Sequence, residues 1–375
     1  MLPYGRQSIS ESDIAAVAAS LSSDWLTTGP LVDSFEAAIA DVAGGTPAVT
    51  VTSGTAALHV AYAAAGVKAG DEVITTPLTF VATAAAAAVM GAKIVFADID
   101  ESTGNLSLPA AEAAITARTT VIAAVDYAGL PVDGRGFKSL AHTHGALFLE
   151  DAAHAIGSSL NGEPVGLNAD LTTFSFFPTK NMTTAEGGAV VTANPDLELR
   201  ARRFKGQGLI RERASLRYPD EGPWHQEVHE FGLNYRLPDV LCALGLSQIA
   251  RLGAFRARRQ EIHNIYNQAF AGNEQLTIPG VVEGADPAWH LYPLRVPADR
   301  RKDIFLQLRQ RGIGVQVNYI PAYWHPVFED LGYKRGMCPN AEIYYAQELS
   351  LPVFPGLQDD QVHLVIDHVL EIIGD

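Results

Sequence analysis

One lysine stands in the segment of the chain that is richest in chemically useful residues. Lys180 follows the apolar run 171–176 after a short turn, and hydroxyl residues and a Glu-Gly-Gly sequence at 186–188 come after it. Open parallel sheets bind ligands at the carboxyl ends of their strands. A lysine removed from water at such a place has a lowered pKa and can attack an aldehyde. The alternative is an ordinary solvated loop lysine.

An aspartate follows another apolar run, at 146–150. Asp151 precedes Ala152, Ala153 and His154. It could cap the next helix, because aspartate is a preferred N-cap residue. Beside a lysine in the same cleft, its carboxylate could instead keep a pyridinium nitrogen protonated, as enzymes that use pyridoxal phosphate require.

Small polar residues and one aromatic residue end other predicted strands. Ser53, Gly54 and Thr55 lead from a strand into a helix, and helix N-termini bind phosphate through free N–H groups and the positive end of the helix dipole. Ser175 could add a hydroxyl group to the same phosphate. Phe80 could stack on a flat ring or pack in the core. Each feature is weak by itself, since Ser and Thr cap many helices.

The elements that must position these residues alternate along the first two-thirds of the chain. Short apolar strands and alanine-rich helices take turns, which predicts a largely parallel sheet covered by helices on both faces. The predicted strands are 48–52, 72–75, 93–97, 120–125, 146–150, 171–176 and 188–192, and the predicted helices include 55–65, 79–90, 110–117 and 137–143.

The pattern changes after residue 250. A polar segment at 200–230 reads as a helix running into a long loop, and helices are predicted at 237–251 and 256–270. Beyond them we predict strands at 289–296 and 315–320 and helices at 341–349 and 361–373. We therefore expect an N-terminal segment, 1–14, that packs on a small domain, a large domain over 15–250, and the small α+β domain over 251–375.

Composition narrows the classes of partner. The 375 residues include 27 Lys and Arg against 42 Asp and Glu, a net charge of −15, which disfavours binding to nucleic acid or an anionic membrane. The two cysteines, Cys242 and Cys338, favour a cytoplasmic protein over a disulfide scaffold. We see no signal peptide and no membrane-spanning run. Basic residues are nevertheless concentrated between Arg200 and Arg217.

Two histidines four residues apart have the spacing of a zinc-binding helix. A zinc hydrolase helix places glutamate directly after the first histidine. Here Glu227 is the second residue after His225, and His229 follows in a predicted loop. We therefore predict no metal site.

Taken together, these segments resemble the DegT/StrS family of nucleotide-sugar aminotransferases, which use pyridoxal phosphate and have fold type I. The resemblance covers essentially the whole chain. It implies a mostly parallel seven-stranded sheet between helices, with a small α+β C-terminal domain. The segments that carry it are Ser53-Gly-Thr55, Pro77-Leu-Thr-Phe80-Val-Ala-Thr83, Glu150-Asp-Ala-Ala-His154, Phe174-Ser-Phe-Phe-Pro-Thr-Lys180, Thr183-Thr-Ala-Glu-Gly-Gly188 and Gly232-Leu-Asn-Tyr-Arg236-Leu-Pro-Asp239.

The resemblance implies a role for each matching residue. Lys180 would bind pyridoxal 5'-phosphate covalently and then move protons, with pyridoxamine phosphate formed midway, and Asp151 would pair with the pyridinium nitrogen. The other residues expected to contact the cofactor are Ser53, Gly54, Thr55, Phe80, His154, Ser175 and, from the neighbouring subunit of a homodimer, Asn234. For the substrate the candidates are Glu186, Tyr319, His325 and, for a diphosphate, Arg211 within the basic cluster.

The implied reaction moves an amino group from L-glutamate to the keto carbon of a nucleotide-linked 4-keto-6-deoxy sugar. Similarity of 75–83, 126–129, 312–323 and 337–345 to family members acting at C4 of UDP-linked sugars favours that substrate, although Ala85 and Asn318 replace their usual Asn and His. The alternatives are C3 amination of a dTDP-linked keto sugar, amination of a keto-cyclitol, and a non-catalytic protein that binds the cofactor. Lys180 disfavours a sugar dehydratase, because such members of the family carry histidine there.

Overall fold

The structure is a computed structural model that describes residues 1–374. Its helices are α1 Glu11–Leu21, α2 Pro30–Val42, α3 Gly54–Ala64, α4 Ala82–Ala88, α5 Leu108–Ala113, α6 Gly134–Thr143, α7 Pro195–Lys205, α8 Asp239–Ile249, α9 Leu252–Phe270, α10 Arg301–Gln310, α11 Pro326–Asp330, α12 Pro339–Gln347 and α13 Asp359–Gly374. Its strands are β1 Ala48–Val51, β2 Glu72–Thr75, β3 Lys93–Phe96, β4 Thr119–Val125, β5 Leu147–Asp151, β6 Ser159–Leu160, β7 Glu163–Pro164, β8 Leu171–Ser175, β9 Gly188–Val191, β10 Leu209–Ile210, β11 Glu227–Val228, β12 Ala285–Asp286, β13 Tyr292–Arg295 and β14 Glu348–Leu351.

The main sheet has seven strands in the order β1-β9-β8-β5-β4-β2-β3. The pairs β2–β3, β2–β4, β4–β5 and β5–β8 are parallel, and β9 is antiparallel to both of its neighbours. Each strand predicted in the first two-thirds of the chain overlaps one of these seven strands. The expected α/β fold with a mostly parallel seven-stranded sheet is therefore confirmed.

Helices bury the sheet on both faces, which explains why its strands are continuous apolar runs. Every residue of β5 except the half-buried Leu147 is buried, and every residue of β8 is buried. The helix α3 contacts β8 and β9 along a face of small buried residues that includes Ala57 and Ala61. Because β5 and β8 are adjacent and parallel, their carboxyl ends meet at one edge of the sheet.

A second hydrophobic core forms after residue 250. In it, β13 pairs antiparallel with β14, and α9, α10 and α13 contribute buried residues such as Ile262, Leu308 and Val365. The predicted strand at 315–320 is wrong. Gln316 forms an isolated bridge with Ser350, but this pairing does not continue along the chain. The Asn318 backbone amide instead donates to the side chain of Glu348. The domain boundary near residue 250 stays a prediction.

The N-terminal segment joins distant parts of the chain. The Leu2 amide donates to the Gly312 carbonyl at 2.7 Å, and the Val353 amide donates to the Tyr4 carbonyl at 3.0 Å. Further along, α1 packs on α8, and the buried Asp13 carboxylate accepts a hydrogen bond from Arg251 at 2.5 Å. Residues 1–14 therefore contact both α8 and the region after residue 250.

Among residues 1–374, no single helix combines the length and apolar character needed to cross a membrane; α8 and α9 do so only when counted together, and they are bent by 56°. Cys242 and Cys338 are both buried and free.

Candidate active site

The carboxyl ends of β5 and β8 bring Asp151 and Lys180 together. Asp151 is the last residue of β5 and lies opposite Thr173 of β8, and the chain reaches Lys180 a short turn after β8. Asp151 is buried, and Lys180 is half-buried. The two side chains are near enough for the charge of each to change the pKa of the other.

The pKa of Lys180 is lowered to about 8 by its removal from water, and the attraction of the Asp151 carboxylate opposes this change. Desolvation lowers the pKa of a lysine because it penalises the charged form. A useful fraction of Lys180 is therefore a neutral amine near physiological pH. A neutral amine is the form that attacks a carbonyl carbon.

Two hydrogen bonds orient the carboxylate of Asp151. The Thr83 hydroxyl donates to Oδ2 at 2.6 Å, and the Ala153 amide donates to Oδ1 at 3.2 Å. Burial raises the pKa of Asp151, and these two donors oppose that change by stabilising the ionised form. Thr83 was not among the predicted site residues, although it ends the Phe80-Val-Ala-Thr83 segment on which the resemblance rests.

The N-terminus of α3 lies against the end of β8. Ser53 is the N-cap, and its Oγ accepts a hydrogen bond from the Ala56 amide at 3.0 Å. Gly54 faces Ser175 so closely that a Cβ atom on Gly54 would lie 2.7 Å from Cβ and 2.8 Å from Oγ of Ser175. Thr55, the next residue of the helix, is exposed. Glycine at 54 therefore keeps the helix N-terminus and the Ser175 hydroxyl together.

Four aromatic rings form a connected cluster that includes His154, in the loop after β5. Nε2 of His154 and the Tyr319 hydroxyl are hydrogen-bonded at 3.1 Å, and the His290 ring lies 4.3 Å from the His154 ring. The Phe80 ring meets Tyr319 edge-on at 6.2 Å and is 59% exposed, so much of its surface is free to contact a ligand. Burial lowers the pKa of both histidines well below its usual value, which keeps them neutral.

Tyr4 is a further residue that the sequence did not reveal. Its neighbour Gly5 packs beside Thr179, which directly precedes Lys180, since a Cβ atom on Gly5 would lie 3.5 Å from Cβ of Thr179. Tyr4 itself lies near enough to Tyr319 to influence the pKa of that residue. Nothing in the local pattern at residue 4 signals this contact, because it depends on the docking of the N-terminal segment.

Four other predicted residues form no hydrogen bond with Lys180 or Asp151 in the described chain. Asn234 is exposed beside Tyr235, whose carbonyl accepts from the Thr52 amide at 3.0 Å. Glu186 is exposed in the loop after Lys180. Arg211 is exposed and donates to Gln226 at 3.2 Å, and His325 is half-buried before α11. Within residues 1–374 none of these four side chains is hydrogen-bonded to Lys180 or Asp151.

Much of the basic cluster contacts the chain itself. Arg202 and Lys205 both bind the buried Glu36 carboxylate, at 2.8 and 2.9 Å. Arg213 pairs with Asp220 at 3.1 Å, and both side chains are exposed. The first two residues therefore neutralise a buried charge, while Arg211 and Arg213 lie on the long loop after α7.

The two histidines with zinc-like spacing share one carboxylate. Nε2 of His225 lies 3.1 Å from Glu227 and Nε2 of His229 lies 2.5 Å from the same side chain. In the part of the chain that the structure describes, no three His, Cys, Asp or Glu residues are grouped to hold a metal ion.

The lysine, the aspartate and the helix N-terminus lie together at the carboxyl edge of the sheet, which fits the fold type I aminotransferases that the sequence resembles. The profile of the DegT/DnrJ/EryC1/StrS aminotransferase family matches residues 7–370. The chain belongs to this family.

Full-length similarity extends to individual relatives. The UDP-4-amino-4,6-dideoxy-N-acetyl-beta-L-altrosamine transaminase of Campylobacter jejuni is 36% identical over 380 residues, which cover 100% of this chain and 98% of that protein. The structure of Helicobacter pylori PseC, an aminotransferase involved in the biosynthesis of pseudoaminic acid, is 32% identical with a TM-score of 0.93 and covers 100% of this chain and 99% of that one.

Pyridoxal phosphate is the cofactor of the family. Spr1654 of Streptococcus pneumoniae, 28% identical, is solved in the pyridoxal phosphate form, with a TM-score of 0.92 and coverage of 100% and 98%, and in the pyridoxamine phosphate form, with 0.93 and coverage of 100% and 99%. The residues here fit this group. They provide an amine with a lowered pKa, a buried carboxylate, and a helix N-terminus where Gly54 leaves space beside Ser175.

Proposed function

We propose that this chain transfers an amino group from L-glutamate to the C4 keto carbon of a UDP-linked 4-keto-6-deoxy sugar. The placement of Lys180 just after β8, beside Asp151 at the end of the adjacent parallel strand, is the single observation that carries the reaction type. Full-length similarity to the altrosamine transaminase supports the sugar substrate. The glutamate donor rests on the resemblance of the sequence to the family.

In this proposal each group of residues has one task. Lys180 would hold the cofactor through its aldehyde, and Nζ would move a proton between the substrate carbon and the cofactor. Asp151, held by Thr83, pairs with the pyridinium nitrogen, which lets the cofactor act as an electron sink. Phe80 and His154 contact the ring. The phosphate is bound by Ser53, Gly54, Thr55 and Ser175.

We also propose that the active unit is a homodimer. Exposed apolar side chains are concentrated on the long loop between α7 and α8, including Trp224 at 79% and Phe231 at 96% exposure. Such a concentration marks an interaction surface. Asn234 is exposed on the same loop, from which it would reach the cofactor of the partner subunit.

The two buried free cysteines support a location in the reducing cytoplasm.

The substrate is tested by incubating the purified protein with pyridoxal phosphate, L-glutamate and a panel of UDP- and dTDP-linked 3-keto and 4-keto sugars. Mass spectrometry and NMR identify the product. We expect a UDP-linked 4-amino sugar. Turnover only with dTDP-linked or 3-keto substrates would contradict the substrate, and no turnover with any acceptor would contradict the transferase.

Two variants test the reaction type. Lys180→Ala abolishes product formation and the visible absorbance of lysine-bound cofactor. The matched control is Lys138→Ala, which removes a partly exposed lysine 3.5 Å from Asp170 and leaves turnover unchanged. Equal activity of the two variants would contradict the role of Lys180.

Mixing tests the shared site. If Asn234 acts across the interface, subunits carrying Lys180→Ala and subunits carrying Asn234→Ala form mixed dimers with one intact site. Activity then returns after the two inactive variants are unfolded and refolded together. Absence of recovery in dimers verified by ultracentrifugation would contradict the shared site.

A further inference from the structure

We propose that Tyr127 and Glu348 are positioning residues that hold the Asn318–Tyr319 segment so that the Tyr319 hydroxyl reaches His154 in the active site. The inference rests on the proposed function of the site around Lys180. It assigns a task to two buried side chains that lie outside that site.

Tyr319 connects the region after residue 250 with the ring-binding side of the site. Its hydroxyl is hydrogen-bonded to Nε2 of His154 at 3.1 Å, and the two rings lie 6.0 Å apart and nearly parallel, at 25°. Its ring also contacts Phe80 edge-on. A shift of Tyr319 therefore changes the environment of both residues proposed to contact the cofactor ring.

The residue before Tyr319 is held at both polar groups of its backbone. The Asn318 amide donates to Oε2 of Glu348 at 2.6 Å, and the Asn318 carbonyl accepts from the Tyr127 hydroxyl at 2.5 Å. Asn318 is 5% exposed, and Tyr127 and Glu348 are both 0% exposed. With no water to replace these partners, loss of either one leaves a buried backbone group unsatisfied.

Side chains complete this arrangement. The Ser350 hydroxyl donates to Oε1 of Glu348 at 2.5 Å and accepts from the Asn318 side-chain amide at 3.0 Å. The backbone amide, the backbone carbonyl and the side-chain NH2 group of Asn318 are therefore all paired inside the protein. A buried hydrogen-bond network of this kind favours one conformation.

The two positioning residues come from parts of the chain that are distant in sequence and adjoin or belong to different sheets. Tyr127 follows β4 of the main sheet, and Glu348 begins β14 of the small sheet. Backbone pairing with β14 stops at the bridge between Gln316 and Ser350, so the Glu348 carboxyl group replaces a strand neighbour at Asn318. Burying a carboxyl group is costly, and here burial raises the pKa of Glu348 to about 8. This cost is consistent with a role for Glu348 in holding Tyr319 in place for the reaction.

A double-mutant cycle tests the inference. Tyr127→Phe removes one hydroxyl and lowers kcat about tenfold, with a smaller change in the KM for the amino donor. In a Tyr319→Phe background the same substitution has little further effect, because Tyr127 acts through Tyr319. An undiminished effect in that background would overturn the inference.

Matched controls separate positioning from general loss of stability. Tyr266 is equally buried, and its hydroxyl donates to the Pro352 carbonyl at 3.0 Å, so Tyr266→Phe removes a comparable bond away from the site. We expect its kcat to be unchanged. Glu348→Gln keeps an acceptor for the Asn318 amide and retains most of kcat, whereas Glu348→Ala does not. Equal losses in the Tyr127 and Tyr266 variants would overturn the inference.

A readout without turnover distinguishes this inference from the proposed function. In cofactor-free protein, the 15N resonance of His154 Nε2 shifts in Tyr319→Phe and shifts in the same direction in Tyr127→Phe, but not in Tyr266→Phe. An unmoved resonance in Tyr127→Phe would overturn the positioning role even in an active enzyme. An inactive wild type with the expected shifts would contradict the proposed function alone.

Discussion

The hydroxyl group of Thr83 donates a hydrogen bond of 2.6 Å to Oδ2 of Asp151. Thr83 lies in α4, about one turn after Phe80, and its Oγ1 also lies 2.8 Å from the hydroxyl of Thr79. The turn before α4 and the start of that helix therefore present the ring proposed to stack on the cofactor and the donor that orients the carboxylate.

Removing that donor should weaken catalysis. Thr83→Val keeps the shape of the side chain but deprives the buried Asp151 carboxylate of a bond, and hydrogen bonds to charged groups contribute about 1.5–3 kcal/mol. We expect kcat to fall at least about tenfold and the affinity for pyridoxal phosphate to decrease. Thr83→Ser should retain both. Steady-state kinetics and absorbance titration measure the two effects, and a Val variant with wild-type values would refute this role.

The pH dependence of cofactor capture should report the pKa of Lys180. Only the neutral amine attacks the aldehyde, and this pKa is lowered from 10.5 to about 8. The rate at which cofactor-free protein captures pyridoxal phosphate should therefore rise with pH and level off above about 8. The Asp151 carboxylate raises the pKa of Lys180, so Asp151→Asn should move the midpoint to lower pH. Stopped-flow absorbance checks both; a midpoint near 10.5 or an upward shift would be inconsistent with the geometry.

A methyl group at position 54 should disturb the phosphate end of the site. Gly54→Ala would place Cβ 2.7 Å from Cβ of Ser175, and such overpacking costs about 1–3 kcal/mol. We expect the Kd for pyridoxal phosphate to rise about tenfold. Gly253→Ala is the control, because a Cβ atom there meets nothing within 4 Å. Absorbance titration of both variants decides, and an unchanged Kd in Gly54→Ala would disprove the close contact.

The buried charge of Glu36 should make a large contribution to stability. Glu36→Ala leaves Arg202 and Lys205 without their shared carboxylate, and breaking a buried ion pair costs about 3–5 kcal/mol. Glu198→Ala removes the more exposed carboxylate that pairs with Arg202 at 2.9 Å and should cost less than about 1 kcal/mol. Urea denaturation measures both. Similar free energies of unfolding for the two variants would contradict the role of Glu36 in stability.

The main sheet and its two principal site residues followed from the sequence. Continuous apolar runs such as 146–150 and 171–176 predict strands that are buried on both faces, and parallel strands end at the same edge. Asp151 and Lys180 could therefore be placed together before any contact was known. Such patterns are local, because each run of a few residues reports only its own burial.

The remainder of the site was decided by tertiary structure. Thr83 and Asp151 are 68 residues apart, and His154 and Tyr319 are 165 residues apart. The chain at 315–320 is not a strand, since side chains of Tyr127 and Glu348 satisfy the Asn318 backbone in place of a strand neighbour. For the main sheet, the sequence alone determined which strands form, and it placed Asp151 and Lys180 at or just after two of their ends. The contacts between distant elements depend on how those elements pack, and no local pattern of polarity records that packing.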